Sequence, residues 1–322
     1  MSEFRDRLAD RFIGSALGSF IGDAMGMAVE GWGPGAIRQG YGLLSDLMPG
    51  RFPAGSYTDD TEMMIGLLEI LAERGRVDPA ALAGRFLANF HPERGYGGRI
   101  YGIMDRLARG AAWDEVGTDS FGNGSAMRVA PVGFYFYDDL HALKAAAVAQ
   151  AEITHRHPEA LAGAVVQAGA VALALDAGLT GRAIDPELFV QQLAALAWDL
   201  DPGFSDRLLD LLKIAPGPME DSISALRRHY RCDVRAIEAV PPAVGAFLLT
   251  ADFSSAVILA VNLGGDTDTL GAMAGAVAGA YYGQAGLPES WVAVLENGPL
   301  GRDYVVDLCR QAAARKSAEQ KA

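Results

Sequence analysis

Ala- and Leu-rich segments with helical periodicity fill the chain, and hydrophobic alternation bounded by hairpin turns is scarce. The pattern predicts an all-α protein, with helices over about 4–29, 60–74, 79–90, 99–109, 138–152, 159–177 and 186–198, and then over about 203–213, 219–229, 234–248, 253–262, 269–282 and 300–315. Short connections rich in Gly, Pro and Asp join them. Tandem repeats are absent and no linker divides the chain, so one compact, orthogonal multi-helix domain is expected over residues 1–322, with a polar tail at 316–322 that frays.

Two helices break the usual avoidance of glycine. Gly14, Gly18, Gly22 and Gly26 recur every four residues in the first, and Gly271, Gly275 and Gly279 in a late one. Each glycine costs a helix about 1 kcal/mol against alanine. Close approach of two central helices offsets that cost and would put function at their ends. The stretch from Trp32 to Ser56 is rich in Gly and Pro and is expected to be an irregular loop over a site.

Composition narrows the function classes. Half of the 322 residues are hydrophobic, enough for a large core, and the net charge of −13 argues against a nucleic-acid groove or an anionic membrane surface as partner. The apolar runs Leu270–Tyr282 and Leu161–Leu175 read as buried helices too short to span a bilayer. The N-terminal residues are too mixed in charge for a secretory signal. Cys232 and Cys309 have no metal-type spacing and imply no disulfide framework, so a reducing cytoplasm fits, and a monomer is expected.

Chemistry concentrates at two helix starts. Thr58-Asp59-Asp60-Thr61-Glu62 precedes one apolar helix, and Gly264-Gly265-Asp266-Thr267-Asp268-Thr269 precedes another. Thr58 or Asp59 can cap the first, and Asp59 with Glu62 has capping-box spacing. Capping needs a single oxygen, and carboxylates at helix N-termini are common for that reason alone. Two aspartates in each segment exceed that need and repel one another unless a cation intervenes. An oxygen-only donor set points to Mg²⁺, Mn²⁺ or Ca²⁺ rather than Zn²⁺. Asp23, inside apolar sequence, reads as a buried structural acid, and Glu30 as either a surface acid or one projecting into the cation site.

Further motifs suggest a ligand. Gly122-Asn123-Gly124-Ser125 can form an anion nest suited to phosphate, and is equally ordinary turn chemistry. Phe121 beside it can stack on a base or belong to the core, and Arg128 can pair with phosphate or with a structural acid. In Thr154-His155-Arg156-His157-Pro158, one histidine is suited to hydrogen-bond a ligand, and the other reading is a capped helix start with a solvated histidine.

In this order the segments resemble those of the ADP-ribosylglycohydrolase family, from Gly14 to about Gly283. The likeness is carried by Gly22-Asp23-Ala24-Met25-Gly26 through Glu30, Thr58 to Glu62, Gly122 to Arg128, Thr154-His155, and Val261 to Thr269. It implies an all-α fold with a central binuclear Mg²⁺ or Mn²⁺ site, whose ligands would be Thr58, Asp59, Asp60, Asp266, Asp268 and Thr269. Glu30 matches an acid lying over the metals. Ser125 and its neighbours Gly122 and Gly124 match a diphosphate-binding loop, His155 matches a ligand-binding histidine, and Phe121, Asn123 and Met127 complete the candidate substrate contacts. Glu30, Asp59 and Asp60 are the candidate catalytic acids.

The expected activity is hydrolysis at the anomeric carbon of the distal ribose in an ADP-ribosylated protein or small-molecule ADP-ribose adduct. Arginine-specific bacterial members carry an extra acid before a Gly-Asn pair. Here the corresponding stretch, Arg94-Gly95-Tyr96-Gly97-Gly98-Arg99, has none, which favours an O-linked, serine-type adduct over an arginine linkage. A catalytically silent ADP-ribose-binding protein and a metal-dependent nucleotide phosphoesterase are the alternatives.

Overall fold

The computed structural model describes residues 2–320. Eighteen α-helices carry the fold among them: α1 Ser2–Gly26, α2 Pro34–Tyr41, α3 Asp59–Arg74, α4 Pro79–Ala88, α5 Gly98–Ala108, α6 Trp113–Val116, α7 Gly124–Met127, α8 Ala130–Tyr135 and α9 Leu140–Ala151, followed by α10 Pro158–Thr180, α11 Pro186–Ala197, α12 Pro202–Leu209, α13 Met219–His229, α14 Ala236–Leu248, α15 Phe253–Asn262, α16 Thr267–Tyr282, α17 Glu289–Val294 and α18 Arg302–Glu319. No strand occurs among the described residues. Two isolated β-bridges, Thr118 with His155 and Gly122 with Arg235, tie loops together.

The architecture is organised on α1 and α16, which run antiparallel with their glycines face to face. A Cβ on Gly22 would lie 1.9 Å from the Gly271 carbonyl oxygen, and one on Gly18 would lie 2.2 Å from that of Gly275. Only hydrogen fits there, so the backbones touch, as the glycine spacing predicts. Ser15 donates from Oγ to the Ala276 carbonyl at 2.9 Å. Helix α10 packs against this pair, and its inner face is almost entirely Ala, Gly and Val.

Helices α1 and α10 are long and apolar enough to cross a membrane by length and composition, which corrects the expectation that the 161–175 run is too short. Their most apolar windows are 94% and 83% buried inside the protein, so here they are core helices.

Three further expectations change. The 32–56 stretch contains α2, whose sole buried residue is Ile37 and whose two glycines mask its periodicity. The first helix tightens into a 3₁₀ turn at Met27–Val29 before Glu30. The tail does not fray from 316: Lys316 is buried with its amine 2.5 Å from the Asp138 carboxylate, and Tyr135 donates its hydroxyl to Glu319 at 2.8 Å. Residues 321 and 322 of that expectation lie outside the described residues.

Candidate active site

Three helix ends meet where the glycine seam stops. The end of α1 lies beside the start of α16, where Thr267 donates from Oγ1 to the Gly26 carbonyl at 2.8 Å. The start of α3 hangs from α1 through Asp23. That buried carboxylate accepts from Thr58 N, Thr61 N and Thr61 Oγ1, the last at 2.6 Å. Asp23 is therefore the structural acid expected.

The capping box is not formed. Thr58 is the N-cap, accepting from Asp60 N at 3.3 Å, and Asp59 is the first helical residue. Glu62 turns the other way and takes hydrogen bonds from His91 N at 3.0 Å and from the Tyr96 hydroxyl at 2.6 Å. It serves the 91–96 loop, not the cap.

The second acidic start needs a tighter bend. Gly264 and Gly265 take φ of 69° and 87°, where a side chain would be strained. The bend is stitched by Gly265 N to Trp32 O at 2.8 Å, Gly31 N to Gly265 O at 2.8 Å and Asp266 N to Cys232 O at 3.0 Å. Cys232 itself holds φ of 56° to present that carbonyl. Burial pushes its thiol up to about 11, so it stays protonated and unreactive.

A cavity of about 280 Å³ opens between these ends, lined at one end by Glu30, Asp59, Asp60, Asp266, Asp268 and Thr269. Carboxylate oxygens of Glu30, Asp266 and Asp268 lie within 4.8 Å of one another. Thr58 does not line the cavity, because its hydroxyl is engaged with the backbone and carboxylate of Asp60.

Charge makes this end unstable by itself. Burial, followed by Asp23, pushes Asp59 well above the ordinary carboxylate value. Burial and the charges of Asp23, Asp59 and Asp266 do the same to Asp60, and burial with Asp60, Asp266 and Glu30 does so to Asp268. Asp60 Oδ1 is buried without a hydrogen-bond partner. Partial compensation comes from two groups. Asn123 donates from Nδ2 to Asp266 at 2.6 Å, and Arg51 spans Glu30 at 2.7 Å and Asp268 at 3.4 Å. Clustered buried carboxylates with an orphaned oxygen fit a hard divalent cation.

Joined to the acids through Asn123, a glycine-rich wall also lines the cavity. Gly122, Asn123, Gly124, Met127 and His155 line it. Ser125 does not: its hydroxyl donates to the Ala160 carbonyl at 3.0 Å, inside the core. Ser120 lines the cavity instead, and its Oγ accepts from Gly122 N at 3.2 Å. The nest is thus smaller than expected, because Asn123 N is also spent, on Val234 O at 2.9 Å. Phe121 is neither in the core nor on the cavity lining. It is 42% exposed at the rim, under the Arg235 guanidinium at 5.1 Å and edge-on to His157.

The two histidines differ in setting. His157 caps α10, accepting from Glu159 N at 3.2 Å. His155 is buried over Gly122 and Gly124, and its Nδ1 meets the Thr154 hydroxyl at 2.7 Å. Burial and the charges of Arg128 and Arg99 push its pKa down to about 3, so it is neutral. Arg128 makes no ion pair with an acid among the described residues. Fully buried, it donates to Gln150 Oε1 at 2.7 Å and to Thr154 Oγ1 at 2.9 Å, with its guanidinium over the Phe86 ring. It orders the Thr154-His155 segment from behind.

Arg51, Ser120 and Arg99 escaped the sequence reading. Arg51 and Ser120 sit in loops without periodicity. Arg99 was visible only as part of a stretch lacking an acid.

A helical fold around an acidic cavity with a glycine-lined wall is what the structure shows, and comparison identifies the family. A family model described as ADP-ribosylglycohydrolase matches residues 5–322. The chain is 32% identical over 332 residues to the ADP-ribosylhydrolase ARH3 of Gallus gallus, covering 87% of this chain and 88% of that one. It is 27% identical over 304 residues to the ADP-ribosylarginine hydrolase Tri1 of Pseudomonas putida, covering 89% and 74%. A solved structure titled "ADP-ribosylglycohydrolase-related protein complex" superposes with a TM-score of 0.75 at 29% identity, covering 97% of this chain and 99% of that one. The chain belongs to the ADP-ribosylglycohydrolase family and is a glycohydrolase of that metal-dependent family.

Proposed function

We propose that this protein removes ADP-ribose from modified targets by hydrolysis at the anomeric carbon of the distal ribose, with O-linked, serine-type adducts preferred over arginine-linked ones. The observation that carries the reading is the convergence of Glu30, Asp59, Asp60, Asp266 and Asp268 on one cavity end, with Asp60 Oδ1 buried and unpartnered. The linkage preference rests on the Gly95–Arg99 stretch. It lines the cavity without an acid that could pair with a guanidinium leaving group.

Asp59, Asp60, Asp266, Asp268 and Thr269 would hold two Mg²⁺ or Mn²⁺ ions, with Thr58 fixing Asp60 and Glu30 at the mouth. Bound there, the cations would orient the ribose hydroxyls and acidify water. The chain's own groups do the rest. Asn123 holds Asp266 in place, and burial with the charges of Arg128 and Arg99 holds His155 neutral, so that it can hydrogen-bond without adding charge. Met127 and Ile103 give the cavity apolar surface that excludes bulk water. A carboxylate at the acidic end, from Glu30, Asp59 or Asp60, takes the proton of the attacking water.

A panel of serine-, arginine- and phosphate-linked ADP-ribose substrates tests this, each with Mg²⁺, Mn²⁺ or EDTA. Release of intact ADP-ribose from the serine adduct, abolished by EDTA, is the expected result. Release of AMP, or turnover of the arginine adduct alone, overturns it.

A further inference from the structure

Negative charge dominates the cavity, yet ADP-ribose brings two more negative charges in its diphosphate. Five carboxylates occupy one end. At the glycine wall His155 is neutral, and two backbone N–H groups of the loop are already engaged. Two arginines line the cavity. Arg128 is committed to Gln150 and Thr154. Arg99 is exposed and makes no hydrogen bond or ion pair among the described residues. It stands in the first turn of α5, next to Gly97 and Gly98, where an added Cβ would meet nothing within 4 Å, so the space beside it is open. Its charge reaches His155, which sits directly over Gly122 and Gly124.

We infer that Arg99 is the charge partner of the substrate's diphosphate, closing over the glycine wall opposite His155 when ligand enters. The assignment rests on the family reading of the cavity and adds to it a residue that binds the anion from the helical side. A planar guanidinium suits this role, since it can donate two parallel hydrogen bonds to phosphate oxygens. Because Arg99 has no partner without ligand, no existing ion pair must break for it to bind.

The test is calorimetric titration of the full chain with ADP-ribose and with adenosine, which lacks the diphosphate, in the unaltered protein and in Arg99→Gln and Arg99→Lys. Arg99→Gln should weaken ADP-ribose binding by about ten-fold or more and leave adenosine binding within about two-fold. Arg99→Lys should fall between, because it keeps the charge without the fork. Unchanged ADP-ribose affinity in Arg99→Gln, or equal losses for both ligands, overturns the assignment while leaving the family reading intact. Failure of the unaltered protein to bind ADP-ribose would overturn that reading, and the assignment with it.

Discussion

The two acidic helix starts are near twins in sequence and unlike in structure. Both put two aspartates and threonines ahead of an apolar helix, and both are referenced to α1. The first is held to α1 by a carboxylate, Asp23, and the second by an absence of side chains along the glycine seam. At the first start the Thr58 side chain caps the helix, and Asp60 Oδ1 is left buried and unpaired. At the second Asp266 occupies the N-cap position without capping, accepts from Asn123, and has Arg51 beside its neighbour Asp268. The first start therefore keeps one unpaired carboxylate oxygen, on Asp60, and the second has an amide and an arginine set against its acids. Matching composition does not imply matching electrostatics, because the partners come from elsewhere in the chain.

The sharpest way to break this comparison is to remove one charge from each half. Asp60→Asn and Asp266→Asn should each lower turnover by about a thousand-fold at saturating Mg²⁺, as single-turnover kinetics would show. Their stabilities in chelator should diverge. Asp60→Asn relieves an unpaired buried charge and should raise the melting temperature by about 2–4 °C, whereas Asp266→Asn turns a charge-assisted bond from Asn123 into a weaker neutral one and should gain nothing. Equal shifts in calorimetry would erase the distinction drawn between the halves.

Next in size is the seam that sets both halves in register. Gly22→Ala drives a methyl into the Gly271 backbone and should cost about 3 kcal/mol or more in urea unfolding. Full stability in that variant would mean that α1 and α16 can slide apart without harm.

A pH series sharpens the electrostatic side. The folded pKa values of Asp59, Asp60 and Asp268 lie above the ordinary 3.8, so the folded state holds those protons more tightly than the unfolded chain does. That contribution is full below the ordinary value and is lost as pH rises through the folded values. Cation binding needs the same groups ionised. The gap in melting temperature between Mg²⁺-loaded and chelated protein should therefore widen from about pH 5 to about pH 8. A constant gap would place the cation somewhere other than these carboxylates.

Much of this was legible beforehand. The glycine spacing located the central pair, and the acid surplus located the helix ends that meet beyond it, because period and composition are local properties. The side-chain directions were not legible. Ser125 and Ser120 differ by half a loop, and only the packing against Ala160 turns Ser125 inward. Spacing alone puts Glu62 at the cap, whereas in the fold it accepts from the Tyr96 hydroxyl. Arg51 reaches its acids from a stretch with no periodicity.

Glu62 also separates the two starts, since the second has no third acid to lend to a loop. Its carboxylate is buried and takes the Tyr96 hydroxyl at 2.6 Å, and Tyr96 stands between Gly95 and Gly97 in the stretch that leads to Arg99. Burial, followed by the charge of Glu62, pushes the Tyr96 hydroxyl far above its ordinary value, so it remains a donor. Tyr96→Phe keeps the ring against Phe90 and removes only that bond. It should cost about 1–2 kcal/mol of stability, because a buried carboxylate loses one of its donors. A small rise in KM for ADP-ribosylated substrate should accompany it as the 95–99 wall loosens, with kcat changed least. If KM holds while stability falls, Glu62 supports the fold alone, and the first acidic start shapes the cavity only through Asp59 and Asp60.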